Sequence, residues 1–134
     1  MAQYSYVNGV YGVTTYVRSG FERFHTMNAQ CAHEKFYEDG RYFERWHFIS
    51  YATPICSVLY DSSNDTTTYY VNRAYFDCSP STSRQFNRWL RENHMKLSLY
   101  DIKYADRHCD SGIYMYDTNT TIVWQDSAGI ERKF

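Results

Sequence analysis

The stretch SPSTSRQFNRWLRENHMKL, residues 79–97, carries the clearest local signal in the chain. Ser79 is a hydroxyl residue suited to accept a hydrogen bond from a free N–H of the first helical turn. Pro80 follows at the position where a missing N–H costs nothing. Phe86, Leu90, Asn93 and Leu97 recur at i, i+4, i+7 and i+11 with Trp89 beside them, so one side of a helix faces a core. At 100° per residue, Arg84, Arg88, Arg91 and Met95 fall on the opposite side and form a basic stripe directed at solvent.

Outward from this helix the chain reads as strands. Residues 53–60 and 66–72 are β-prone segments separated by Asp61-Ser62-Ser63-Asn64-Asp65, a polar loop of the kind that closes a longer hairpin. Pro54 stands at the start of its strand, where its missing donor does least harm. Asp39-Gly40 marks a turn before an aromatic run to Tyr51 that reads as strand. Downstream, 113–116 and 121–125 flank Asp117-Thr118-Asn119-Thr120 in the same manner. At the N-terminus, Asn8-Gly9 between two β-prone runs predicts a two-residue type I′ hairpin. Met27, Ala29, Gln30, Ala32 and Glu34 lose little on entering a helix, which predicts a short second helix over 26–35. The polar tail Glu131-Arg132-Lys133 is expected to fray. The reading is an α+β fold in a single domain, 1–134: an antiparallel sheet of hairpins packed with one main amphipathic helix over 79–97.

At 134 residues, 43% hydrophobic and 22% charged, the chain can bury a core without metals or disulfides. A net charge of −1 provides no global field toward nucleic acid or anionic membrane, so a polyanion site has to be local. Arg outnumbers Lys, and guanidinium suits planar contacts to phosphate or carboxylate. Fifteen Tyr residues provide large, rotor-poor contact area, whether spent on strand packing or on a surface. No basic-then-apolar leader opens the sequence and no apolar run approaches the ~20 residues that span a bilayer. A cytoplasmic protein is therefore expected, with no membrane partner and with Cys31, Cys56, Cys78 and Cys109 as reduced thiols.

Among chemistry-bearing groups, Arg84, Arg88 and Arg91, preceded by Ser81 and Thr82, are the strongest candidates for anion binding. A helix start offers N–H donors and hydroxyls while the arginines add charge. Tyr75, just before the helix, is a candidate stacking platform. A solvated helix face is the bland alternative, since Glu92 follows Arg88 by four residues and can pair with it. Cys31, His33, His47, Cys56, Cys78, His94, His108 and Cys109 show no paired metal-ligand spacing, so no metal and no cofactor are expected. No nucleophile-elbow, phosphate-loop or zinc-protease motif occurs, and no catalytic residues are assigned.

Phe48-Ile49-Ser50-Tyr51-Ala52-Thr53-Pro54-Ile55-Cys56, then Tyr69-Tyr70-Val71-Asn72, Tyr75-Phe76 and Ser79-Pro80-Ser81-Thr82-Ser83-Arg84, resembles a family of small bacteriophage proteins. These carry a "SYxTPI, YVN, YSxTTSR" pattern, and the likeness covers residues 46–91. It implies a phage origin and an accessory role in the infected host's cytoplasm. It brings no catalytic residues with it. The function expected is a non-enzymatic protein that binds and inhibits a host protein or nucleoprotein, such as a counter-defence protein of the anti-CRISPR kind. The alternative is a nucleotide or nucleic-acid binder, including a sponge for a signal nucleotide, acting through the Arg stripe. A Tyr-rich edge strand equally suits a homodimer.

Overall fold

The computed structural model describes residues 4–8, 14–25 and 28–134. In chain order its elements are β1 (Tyr4–Asn8), β2 (Thr14–Arg18), β3 (Glu22–Arg23), β4 (Ala29–Glu38), β5 (Arg41–Ser50), β6 (Thr53–Asp61) and β7 (Thr66–Asn72). Then come α1 (Pro80–Glu92), α2 (Leu99–Arg107), β8 (Ile113–Asp117), β9 (Thr120–Gln125) and α3 (Ser127–Glu131). The architecture is α+β, with β1 and β2 paired separately and a seven-stranded sheet of order β3-β4-β5-β6-β7-β9-β8. All its pairings are antiparallel except β7 with β9. Parallel neighbours need a long crossover, and here that crossover carries α1, α2 and β8.

Turn chemistry sets the registers. Asp39 and Gly40 take φ of 52° and 75°, the left-handed pair that a two-residue hairpin requires, and lock ten β4–β5 pairs from Ala29↔Ser50 to Glu38↔Arg41. In the β6–β7 loop, Asp61 accepts from the Ser63 N–H at 3.0 Å, an Asx turn.

Alternation along β5 sends Phe48 to one face and His47 to the other. On the Phe48 face, its ring stacks on Trp89 at 5.2 Å and on Phe86 at 5.8 Å, and all three are buried. Val58, Val71, Ile122, Leu97 and Ile102 complete this core, each contributing about 1.5–3 kcal/mol by burial. The Tyr69 hydroxyl accepts from the Leu97 N–H at 3.3 Å, fixing the approach to α2. On the His47 face, α3 and the residues after it form the cover.

Four expectations need correction. Residues 29–38 are strand, not the helix predicted over 26–35: helix propensity is a weak local preference, and pairing along the whole of β5 overrides it. Stacking of His33 on Trp46 and of Phe36 on Phe43 adds cross-strand support. The main helix stops at Glu92 rather than reaching 97, because Asn93 caps it and His94 turns left-handed at φ 55°. Met95 consequently packs against the core instead of extending the solvent stripe. The hairpin of β1 and β2 exists, but Asn8 pairs with Thr14, so its strands do not close through Asn8-Gly9. Its connection, 9–13, lies outside the described residues. The tail is also ordered: Asp126 caps α3, and Ile130 is fully buried.

Candidate functional site

At the start of α1, the Ser79 side chain accepts from the Thr82 N–H at 3.1 Å, as its position predicts. Thr82 is only 3% exposed, and its hydroxyl lies 3.1 Å from Ser50 Oγ and 3.2 Å from Ser79 Oγ. It therefore holds the helix to the sheet rather than facing a ligand. Ser83 donates to Asp77, which also pairs with Lys103 at 3.4 Å, so a carboxylate already occupies the helix start. Ser81 is half-buried, and Tyr75 stands exposed in the turn between β7 and α1.

Ser81, Arg84, Arg88 and Arg91 share one side of α1 by helical spacing. Arg88 is committed: its Nε donates to Glu92 at 2.7 Å, and the same carboxylate meets His25 Nε2 at 2.7 Å. His25 and Arg88 together hold Glu92 below the usual carboxylate range. Arg84 and Arg91 are exposed and make no ion pair among the described residues, so they are the part of the stripe open to a partner.

The segment around Ser50 and the start of α1 prove to be one unit. Ser50 Oγ donates to Gln85 Oε1 at 2.8 Å and meets Thr82, joining the 50–54 segment to the start of α1. The turn that follows Ser50 is costly. Tyr51 and Ala52 take φ of 48° and 65° with no glycine or asparagine to ease them, a strain of about 1–3 kcal/mol each. The Ser50 bonds and the Tyr51 N–H to Asn28 carbonyl bond at 2.8 Å enforce it, leaving the Tyr51 ring 52% exposed.

A second surface was not anticipated from sequence. Of the eight exposed large hydrophobic residues among those described, five lie on α2 and β8: Tyr100, Tyr104, Ile113, Met115 and Tyr116, with Tyr100 and Met115 each 68% exposed. Both ends of α2 are fastened to β8. Lys96 pairs with Asp117 and lies 5.8 Å from the Tyr116 ring centre, and Cys109 Sγ meets the Ile113 carbonyl at 3.4 Å. The helix and β8 thus meet at one edge of the sheet, where alternation about Tyr114, which packs on the core beside α2, turns Ile113 and Met115 to the opposite face. Ser98 with Asp101 forms the capping box that starts α2, and this pair was the local signal available in the sequence.

The main chain of β8 is closed to strand addition at Ile113. The Trp124 N–H donates to the Gly112 carbonyl at 2.9 Å, so the alternating ladder turns the polar groups of Ile113 outward. Ser111 Oγ accepts from the Ile113 N–H at 3.4 Å and donates to its carbonyl at 2.8 Å, capping that exit.

Burial pushes the Cys31 thiol up to about 11 and pushes Cys56 further up, which keeps both protonated. Cys109 is shifted down by the Ser111 hydroxyl, yet it is buried. Among the described residues no cluster of three His, Cys, Asp or Glu side chains has the geometry to hold a metal ion, and no helix is long and apolar enough to cross a membrane. The chain matches no family model, no curated protein and no solved structure.

Proposed function

We propose that this chain is a non-enzymatic phage accessory protein that binds and inhibits a host protein or nucleoprotein, and that the α2–β8 border is where the partner docks. The observation that carries the reading is the concentration of exposed side chains at one edge of the sheet, Tyr100 and Tyr104 on α2 and Ile113 and Met115 on the opposite face of β8. Exposed apolar residues scattered singly are ordinary, whereas a grouped set marks an interaction surface. Tyrosine is among the residues that dominate binding energy when a partner buries it. The likeness of residues 46–91 to phage proteins supports the host-directed part of the proposal.

The test is capture of a partner by purified protein from a susceptible host, repeated with Tyr104→Ala combined with Met115→Asp. Loss of a stoichiometric partner with an unchanged melting temperature is the expected outcome. Equal capture by the variant would sink the assignment of this border.

Arg84 and Arg91 support a second reading, nucleotide or nucleic-acid binding, because they are exposed and make no ion pair among the described residues. It predicts affinity for a labelled oligonucleotide that falls steeply with salt and disappears in Arg84→Ala with Arg91→Ala. The net charge of −1 favours the protein-binding reading.

A further inference from the structure

On the His47 face of the sheet, His47 lies directly across from Ser57, Ser57 lies across from Tyr70, and Asn72 follows two residues along β7. His47 Nδ1, Ser57 Oγ and Asn72 Oδ1 have no hydrogen-bond partner among the described residues, although all three side chains are buried. Residues 126–134 form the roof. Asn72 Nδ2 donates to Ser127 Oγ at 2.9 Å, Lys133 Nζ lies 4.2 Å from the Tyr70 ring centre, and Arg45 donates to the Lys133 carbonyl at 3.4 Å. The Phe134 ring sits 4.7 Å from His47 and 5.3 Å from Phe21. Arg18, whose side chain is 10% exposed, holds both carboxylate oxygens of Glu131, with Phe134 at 4.9 Å from its guanidinium.

Buried polar atoms in a finished interior are nearly always paired, so a floor with three unpaired atoms is one its present cover does not match. Among the described residues, that cover is short. α3 has five residues, too few to be stable as a helix on its own, and within it only Gly129 and Ile130 are buried. Its position rests on the buried Ile130, on the Asn72 bond to Ser127 and, beyond these, on two outer anchors: Glu131 on Arg18, and Phe134 between Phe21 and His47.

We infer that this face is a peptide-docking groove which residues 126–134 occupy in the absence of a partner, and that the partner is a protein segment carrying a carboxylate three residues ahead of an aromatic side chain. The chain's own segment displays the required chemistry. A nearly buried guanidinium calls for a carboxylate in a two-bond grip. The slot between Phe21 and His47 calls for a flat ring, and Arg45 takes a main-chain carbonyl. A foreign segment with hydrogen-bond donors over β6 and β7 gains pairings with Ser57 and Asn72 that the resident one leaves unmade. The groove is independent of the α2–β8 border and does not rest on that reading.

The probe is a fluorescein-labelled synthetic peptide of residues 126–134, followed by anisotropy against the full chain and against its Glu131→Gln/Phe134→Ala variant. Weakening the tethered competitor is expected to tighten peptide binding by about tenfold or more over the wild type, because a tethered segment competes at an effective concentration near millimolar. The peptide carrying the same two substitutions is expected to bind about tenfold more weakly or not at all. A folded double variant that binds neither peptide, or binds both equally, overturns the proposal. Hydrogen exchange on the unaltered chain gives a second check: amides of 127–134 are expected to open long before those of β6, and equally slow exchange in both would make the segment permanent core. A dimer of the double variant by light scattering that the peptide fails to dissociate would also overturn it, in favour of exchange between copies.

Discussion

On one face of the sheet Phe48 lies against Phe86 and Trp89 in a layer of apolar side chains; one residue earlier on the same strand, His47 points the other way, toward Arg18, Glu34, Arg45 and Phe134. The first face is closed by α1 and α2, each with a capped start, and the second by a five-residue helix and a short tail. The difference separates two tasks. Apolar packing of long helices supplies stability that is expensive to disturb, whereas a polar face under a short cover can exchange one occupant for another.

The largest expected effect belongs to the apolar face. Trp89→Ala should lower unfolding free energy by about 3–5 kcal/mol in urea denaturation, since the ring is fully buried and its neighbours cannot collapse into the space. A loss under about 1 kcal/mol would dissolve the contrast between the faces.

Next comes pH. Burial pulls His47 down from 6.5 to about 4, assisted by Arg45 and Arg18 and opposed by Glu34. The unfolded chain therefore takes up the proton first. The contribution is fully present above pH 6.5 and is lost as pH falls toward 4, a total on the order of 3 kcal/mol. Denaturation midpoints measured at several pH values in that window should fall for the native chain, and by much less for His47→Gln. Parallel slopes would show that the imidazole is not the group responsible.

Smaller still is Ser50→Ala, which removes the link between the Tyr51-Ala52 turn and α1 and takes from Gln85 Oε1 the donor that Ser50 supplies. About 1–2 kcal/mol should be lost, with faster amide exchange at 50–53 as the specific sign. Arg84→Ala is the control at the bottom of the scale: an exposed side chain without an ion pair should change stability by less than about 0.5 kcal/mol. Any larger change would mean that the residue is structural and not free for a ligand.

Much of the fold was legible because its signals are local. The loop 61–65 and the alternation on either side of it located β6 and β7, and Asp39-Gly40 located the turn before β5. The candidate site was legible only in part. Spacing placed Arg84, Arg88 and Arg91 on one side of α1, yet it gave no sign that His25, 67 residues from Glu92, completes the pairing that engages Arg88. Nor did spacing show that Thr82 turns inward to Ser50, or that Tyr100, Tyr104 and Met115 gather at one edge of the sheet.

The start of α1 at Ser79-Pro80, the hairpin of β6 and β7 and the absence of a strong global charge were determined by sequence alone, since each depends on residues within a few positions or on composition. Only tertiary structure decided that residues 29–38 extend as a strand, that the tail is anchored, and that His25 shares the Glu92 carboxylate with Arg88. Glu131 reaches Arg18 across 113 positions, and β4 gains its hydrogen bonds from β5, so the energies that settle these outcomes exist only after distant parts of the chain have met.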